Sequence, residues 1–399
     1  MQIGIFSFFS GAGFLDLGFE RSGFEVLYAS ELSTAFTGAY QHSRKLLGMD
    51  SPRYGVHAGE QGNIQSIAKD LCRHNLAELL QDARKSIDIV GFIGGSPCPD
   101  FSVGGKNKGR EGDQGMLSGS YVDLICHHQP AFFLFENVKG LLRNKRHKLF
   151  FDELKLKLWN AGYVLAERLM NTIEYGVPQN RDRIILIGFR RSLLQDLQVE
   201  ELHRNTISEP IFPWKDHILY PQDTVFSYPW PSTDFFLEDS ERESPSNIPE
   251  ELTVEFWFRK NQVLSHPNTQ HHFQPRQGLK RFLSVAEGDD SKKSFKRLHR
   301  WRYSPTVCYG NNEVHLHPYK ARRISVAEAL ALQSLPKEFS FPDDMSLTNM
   351  FKAIGNGVPY LASKAIAETI LDFLESPRSS NCFLPTRTVG QLGLILASA

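Results

Sequence analysis

What most restricts the fold of this chain is an alternation, sustained over its first 190 residues, of short apolar runs with longer stretches of helical periodicity. The runs are Ile3–Phe9, Glu25–Ala29, Ile87–Ile93, Phe132–Glu136, Tyr163–Met170 and Arg183–Phe189. Between them, Leu15–Ser22, Thr34–Leu47, Ile67–Arg84, Leu117–His128 and Leu149–Asn160 carry apolar side chains at helical spacing. Strand–helix–strand order on this scale requires a largely parallel sheet with helices on both faces. The last two runs follow each other with no helix between them, which predicts an antiparallel hairpin at that edge of the sheet.

After about residue 195 the texture changes. Pro210, Pro213, Pro221, Pro229, Pro231, Pro245 and Pro249 break any long element, and tryptophans and tyrosines are interspersed, so a smaller, irregular second domain is expected. Helices return at Ser325–Leu335, with Ser325 as N-cap, and at Pro359–Leu374, where Pro359 suits a first turn. The expected division is therefore 1–194, an irregular domain over 195–320, a segment over 321–376 that returns to the first domain, and a tail over 377–399.

Composition removes several classes. With 399 residues, 41% of them hydrophobic, the chain is globular rather than disordered. No apolar run approaches the roughly 18 residues of a membrane span, and the first residues lack the charged lead of a secretory signal. Cys72, Cys98, Cys126, Cys308 and Cys382 have no paired spacing, which fits neither a disulfide framework nor a metal cluster and points to a reducing cytoplasm. The balance of 45 basic against 45 acidic side chains hides a polarity. Residues 200–253 hold three basic against 12 acidic ones, whereas residues 254–323 hold 14 basic against five acidic ones and six histidines. The second stretch is cationic enough to meet phosphates, or is simply a solvated basic surface.

Chemistry concentrates where strands end. Phe9-Ser10-Gly11-Ala12-Gly13-Phe14 leaves the first strand and enters a helix, and glycines there let a ligand approach the backbone. Glu31 ends the next strand, where a carboxylate can accept both ribose hydroxyls. Together they indicate a nucleoside-containing cofactor, without separating a dinucleotide from S-adenosylmethionine. Gly94-Gly95-Ser96-Pro97-Cys98-Pro99-Asp100-Phe101-Ser102 follows the strand Ile87–Ile93, and a cysteine between two prolines is held in a stiff, extended loop suited to presenting a nucleophile. Glu136-Asn137-Val138 ends the strand Phe132–Phe135, placing a carboxylate that can hold or donate a proton at the mouth of the sheet. In Gln179-Asn180-Arg181-Asp182-Arg183, arginines two apart share one side of an extended segment. Gly355-Asn356-Gly357-Val358-Pro359 reads as a tight turn opening a helix.

In this order, FSGAGFLDLGFE, GGSPCPDFS, ENV, QNRDR, RRISVAEALALQSLP and AIGNGVP resemble the signature blocks of the DNA (cytosine-5) methyltransferases, covering about residues 3–190 and 320–375. The resemblance implies the Rossmann-like fold of S-adenosylmethionine-dependent methyltransferases, with target recognition in about 195–320. It implies Cys98 as the nucleophile on cytosine C6, Glu136 on N3 and the exocyclic amine, and Arg183 on O2, with Arg181 supporting the loop and a nearby phosphate. The cytosine stands outside its duplex, and Val103–Gly119 closes over it. For the cofactor it implies Phe9 stacked on adenine, Gly11 and Gly13 clearing room for the methionine end, and Glu31 on the ribose. Ser10, Ala12, Leu32, Asn63, Ile64, Pro97, Leu117, Asn356 and Val358 complete that site, and no metal is needed. Ser102, Gln179, Arg276, Lys280, Arg281, Lys296, Arg297, Arg300, Arg302 and Thr306 are then the expected contacts to double-stranded DNA.

The chain departs from the family's pattern at Phe14, where a second glycine is usual and local packing must differ, and at Asn63, where an aspartate is usual; the uncharged amide at 63 predicts somewhat weaker cofactor binding. Ser96 and Pro99 also differ from the usual neighbours of the cysteine. The family setting implies a monomeric bacterial enzyme of the nucleoid-containing cytoplasm, acting on the same short site as a restriction endonuclease. Rival readings are a tRNA cytosine-5 methyltransferase on the same fold and a non-catalytic DNA-binding relative.

Overall fold

In the computed structural model the described residues are 1–376, apart from 97–112, 144, 200, 201, 204, 210, 276, 277, 293, 308 and 310–312; the side chains of 113, 114, 202 and 203 are also outside the description. The first part runs β1 (Ile3–Phe8), α1 (Phe14–Arg21), β2 (Glu25–Glu31), α2 (Thr34–Leu46), β3 (Val56–Ala58), α3 (Ile64–Ile67), α4 (Leu76–Ala83), β4 (Ile89–Gly95), α5 (Asp113–His128) and β5 (Phe132–Val138). It continues with α6 (Lys145–Asn160), β6 (Tyr163–Asn171), β7 (Gln179–Asn180), β8 (Asp182–Arg190), α7 (Arg191–Asp196), β9 (Leu202–His203) and β10 (Thr206–Ile207). Then come α8 (Gln222–Val225), α9 (Val254–Lys260), α10 (Leu279–Ser284), β11 (Ser304–Pro305), α11 (Val326–Leu332), α12 (Leu347–Asn356) and α13 (Tyr360–Glu375).

Among the described residues one nine-stranded sheet has the order β3-β2-β1-β4-β5-β8-β6-β10-β9, and β7 pairs with β11 apart from it. Neighbours from β3 to β5 are parallel, while β8 runs antiparallel to both β5 and β6. The expected mixed, mostly parallel α/β sheet is what the chain forms. Alternate side chains of the central strands enter different cores: Phe132 and Leu134 pack on one face, Phe133 and Phe135 on the other. That two-sided burial is why these runs are apolar throughout. The antiparallel pair is present, but it does not end the sheet, because β10 and β9 add two short strands beyond β6.

Two expectations need correction. The stretch 67–84 is not one helix: Asn75 accepts N–H bonds from Ala77 and Glu78 and starts α4 afresh. The 355–359 segment does not simply open a helix, because Gly355 and Asn356 end α12, for which no expectation existed, and Pro359 then caps α13. The N-cap at Ser325 is present as a reciprocal capping box with Glu328.

Long-range side-chain pairs tie the irregular stretch to the sheet domain. His217 is buried, with Nε2 2.8 Å from Asp372 and Nδ1 3.3 Å from Glu368, both on α13. Burial alone would lower its pKa, but the hydrogen bonds to Asp372 and Glu368 prevail and raise it from 6.5 to about 9. A folded-state pKa above the unfolded one means that stability is fully present below about pH 6.5 and is lost as pH rises through about 9. His217→Gln should cost roughly 2–3 kcal/mol at pH 6, allowing for the partly exposed carboxylates, and little above pH ~9. Urea denaturation of both proteins across this range measures it; a pH-independent difference would rule out the ion pair as the cause.

Candidate active site

The C-terminal edge of the sheet collects the chemistry, as open α/β sheets generally do. Ser96 follows β4, Glu136 lies near the end of β5, and Arg183 lies at the start of the antiparallel β8, so three strands bring these residues to one place. Arg183 Nε sits 2.8 Å from Glu136 Oε1, with both side chains only about a tenth exposed. Gly95 is beside them: a Cβ there would stand 2.6 Å from Glu136 Oε2, so this glycine makes room for the carboxylate. Ser96 Oγ is 2.7 Å from Ser118 Oγ and accepts from Asn137 Nδ2 at 3.2 Å, in a buried network. Ser96, two residues before Cys98, is thereby anchored to both α5 and β5. Ser118 and Asn137 carry that role without having been singled out in the sequence; the available signal was an amide side chain, Asn137, at the end of the apolar strand Phe132–Phe135, and it is fully buried. Pro97, Cys98, Ser102 and Arg276 lie outside the described residues, as does 103–112 of the expected closing segment, whose remaining residues belong to α5.

The second constellation surrounds the β1–α1 turn. Glu31 Oε2 accepts from Gly11 N at 3.1 Å and Oε1 from Ser33 N at 2.8 Å. Burial pushes the Glu31 carboxyl above its ordinary pKa, while these N–H groups and the Lys352 cation pull the other way. Gly11 adopts φ 56°, and a Cβ there would meet nothing closer than Phe9 O at 4.0 Å, so the turn is open. Phe9 and Leu117 are half-buried against the same apolar cluster, and the Phe9 ring lies edge-on to Tyr121 at 6.0 Å. A Cβ on Gly62 would come within 2.3 Å of both Glu31 O and His57 O, so that glycine lets Asn63 and buried Ile64 sit against the end of β2. Asn63 accepts from Gln65 N and caps α3, which already occupies its amide oxygen. Leu32 is mostly exposed, and Asn356 is exposed beside buried Val358. Ser10 bonds to the Ser30 carbonyl, and Ala12 is buried.

Gly13 also makes room for packing within the protein. A Cβ there would stand 2.7 Å from the Tyr40 ring, at φ 86°. Tyr40 in turn donates to Asp16 at 2.9 Å, and Ser7 donates to the same carboxylate at 2.6 Å. Burial is the main reason that Asp16 titrates near 6, against the pull of these hydrogen bonds and of Arg44. An acid inside the apolar FLDLGF segment was the signal for this support under the turn. The Phe14 departure is also accommodated: a Cβ on Gly357 would stand 2.2 Å from the Phe14 ring, which packs edge-on against Phe339. The larger residue at 14 thus needs the glycine at 357.

Several expected DNA contacts are structural instead. Arg181 is 1% exposed and donates to Val307 O at 2.9 Å, Gly355 O at 3.0 Å and Gly357 O at 3.1 Å, so it holds three segments together and reaches no phosphate. The two arginines do not share a side: Arg183 faces Glu136, while Arg181 faces the 355–357 turn. Gln179 is fully buried, bonded to Leu332 O and Gln333. Arg297 is fully buried, donating to the carbonyls of Phe282, Val285, His317 and Lys320, with its guanidinium over the Phe236 ring. Arg300 is buried and forms a paired contact with Glu287 at 2.9 and 3.0 Å. Arg302, half-buried, donates to Gly288 O at 2.9 Å and lies 3.5 Å from Asp290. Lys280 and Arg281 are exposed on α10, while Lys296 and Thr306 are half-buried, Thr306 donating to Asn180 O at 2.6 Å. Charge counting cannot tell a guanidinium that binds its own backbone from one that faces solvent.

A mostly parallel sheet whose edge joins a glycine turn, a partly buried carboxylate and a Glu–Arg pair is the architecture of a Rossmann-like α/β enzyme. The chain belongs to the C-5 cytosine-specific DNA methylase family, which it matches over residues 3–372, and is a DNA (cytosine-5) methyltransferase. It is 53% identical over 374 residues to the type II methyltransferase M.NmeDI of Neisseria meningitidis serogroup C, covering 93% of this chain and 84% of that one. It is 28% identical to the type II methyltransferase M.FnuDI of Fusobacterium nucleatum, over 92% and 95% of the two chains. Among solved structures, the Dnmt2 methyltransferase of S. pombe shares the fold with a TM-score of 0.57 and 13% identity, over 94% of this chain and 99% of that one. Members of the family use S-adenosylmethionine. Among the described residues no group could hold a metal ion, and no helix is long and apolar enough to cross a membrane.

Proposed function

We propose that this enzyme methylates C5 of a flipped-out cytosine in a short, specific site of duplex DNA, through a covalent bond between Cys98 and C6. The observation that carries the reading is the shielded Glu136–Arg183 pair beside Gly95 and Ser96, the residues that precede Cys98 in the chain. C5 of cytosine is a weak nucleophile. Addition of the Cys98 thiolate to C6 breaks the ring's aromaticity and places electron density on C5. Glu136 binds the N3 and amine edge and stabilises charge developing there, while Arg183, oriented by Glu136, donates to O2. When bound, S-adenosylmethionine supplies a methyl group activated by its sulfonium. C5 accepts that methyl, then loses its proton, and the electrons of the broken C–H bond restore the ring as Cys98 leaves C6. Stacking shields C6 within a duplex, so the base must be extruded first.

The β1–α1 turn and Glu31 are suited to the cofactor: the turn is open at Gly11, and the half-buried Glu31 carboxylate beside it suits a ribose. Phe9, Ser10, Leu32, Asn63, Ile64, Pro97, Leu117, Asn356 and Val358 complete the proposed binding set. Residues 1–194 and 321–376 form the proposed catalytic domain and 195–320 the recognition domain, where Lys280, Arg281, Lys296 and Thr306 remain candidates for DNA contact. The 53% identical relative carries the name of a type II methyltransferase, which supports a place in a restriction-modification system; a monomer in the bacterial cytoplasm is proposed with it. Duplex DNA containing 5-fluorocytosine, incubated with protein and S-adenosylmethionine, should give a conjugate that survives denaturation. Cys98→Ser should give none and should transfer no methyl. Equal trapping by both proteins would remove Cys98 from the reaction, and transfer to tRNA with none to DNA would favour the RNA reading.

A further inference from the structure

Three of the arginines expected at the DNA surface, Arg297, Arg300 and Arg302, are committed to groups within the protein. These three add little to the positive surface that a polyanion needs, and other cations have to supply part of it. After Glu136 and Asn137 the chain reads Val138-Lys139-Gly140-Leu141-Leu142-Arg143-Asn144-Lys145-Arg146-His147-Lys148, and no acidic residue intervenes before Asp152. Arg143, Lys145, Arg146 and Lys148 are exposed, and Lys139 is 60% exposed where it bonds to Asp182 at 2.9 Å. Since Asp182 adjoins Arg183, that bond pins the start of the cationic run to the catalytic edge. His147, in contrast, is buried against Gly140 O.

The start of α6 adds an independent argument. A helix N-terminus carries partial positive charge and favours acidic side chains, yet the first turn here begins Lys145, Arg146 and contains no acid. Such a local cost persists where an external anion offsets it.

We propose that Lys139, Arg143, Lys145, Arg146 and Lys148 form a rim that binds phosphates of the DNA strand carrying the target cytosine, on the catalytic side of the cleft and apart from the recognition domain. The inference rests on the proposed function of the same edge. The rim holds the sugar–phosphate chain beside the extruded nucleotide and reads no base, so its contribution is independent of sequence and falls with salt.

The test uses the full chain and a fluorescently labelled mixed-sequence duplex, with affinity measured by anisotropy across a range of salt concentrations. Each neutralised phosphate contact should remove about 0.9 from the slope of log affinity against log salt. Arg143→Gln, Lys145→Gln and Lys148→Gln together should reduce the slope by about 2–3. KM for long cytosine-containing DNA should rise at least about tenfold at moderate salt, with kcat within about twofold. Arg21→Gln, Arg84→Gln and Lys85→Gln neutralise exposed cations at the opposite edge of the sheet, before β2 and β4, and should leave slope and KM unchanged. Wild-type methyl transfer combined with an unaltered slope in the first triple variant, or equal losses in both, overturns the rim alone. A wild-type protein that binds duplex but transfers no methyl to cytosine overturns the reading beneath it.

Discussion

Replacing Glu136 with glutamine is expected to lower kcat for DNA methylation by about 10²–10³-fold while leaving the protein folded. The substitution keeps the size of the side chain and one acceptor oxygen, so Gly95 still accommodates it and the sheet is undisturbed. It removes the negative charge that faces both Arg183 and the N3 edge of the base. Thiolate addition drives electron density onto N3, and an amide cannot hand that nitrogen the proton that a carboxyl can, while Arg183 loses the charged partner 2.8 Å away that orients it. Single-turnover methyl transfer at saturating DNA, with the thermal midpoint as a control for folding, measures the effect. Were Glu136 only a structural partner of Arg183, the midpoint would fall and the chemical step would keep nearly its full rate.

The second large effect is expected at Arg181, in stability rather than chemistry. Arg181→Ala leaves the carbonyls of Val307, Gly355 and Gly357 without their shared donor in a buried place, and opens a cavity the size of a guanidinium. Losses of this kind come to about 3–5 kcal/mol. Calorimetry should show a midpoint lower by about 5–10 °C, with cofactor affinity falling too, because the 355–357 turn is also the floor on which Phe14 rests. A phosphate contact would behave in the opposite way, raising KM for DNA and leaving the midpoint alone. Lysine at 181 is a poor rescue, since one ammonium cannot reach the three carbonyls that the planar fork spans.

Legibility followed the range of the interaction. The strands that are buried on both faces, and the turns that must leave their ends, are local consequences of apolar runs followed by Gly, Pro and Asn. Glu31 was readable because a carboxylate at the end of β2 falls opposite the glycine turn in any parallel sheet with adjacent β1 and β2. The break between α3 and α4 was readable in principle at Asn75, whose side chain competes for the N–H groups of the following turn. The arginines were not readable. Arg181, Arg183, Arg297 and Lys280 present the same charge to a composition count, and only their neighbours, far away in sequence, separate a backbone clamp from a catalytic donor or an exposed cation. Tyr40 under Gly13, and Gly357 under Phe14, are likewise choices imposed by close packing between segments remote in the chain.

By itself, the order of residues determined the α/β sheet and the edge at which the glycine turn, Glu31 and Glu136 gather, because backbone preferences and buried periodicity act over a few residues. Only the tertiary structure decided which cations are internal. A guanidinium's role depends on whether folded carbonyls or solvent surround it, and that environment is assembled from the 280s, the 300s and the 350s at once. The folded chain also decided that the run from Lys139 to Lys148 lies on the same edge as Glu136, through the bond between Lys139 and Asp182.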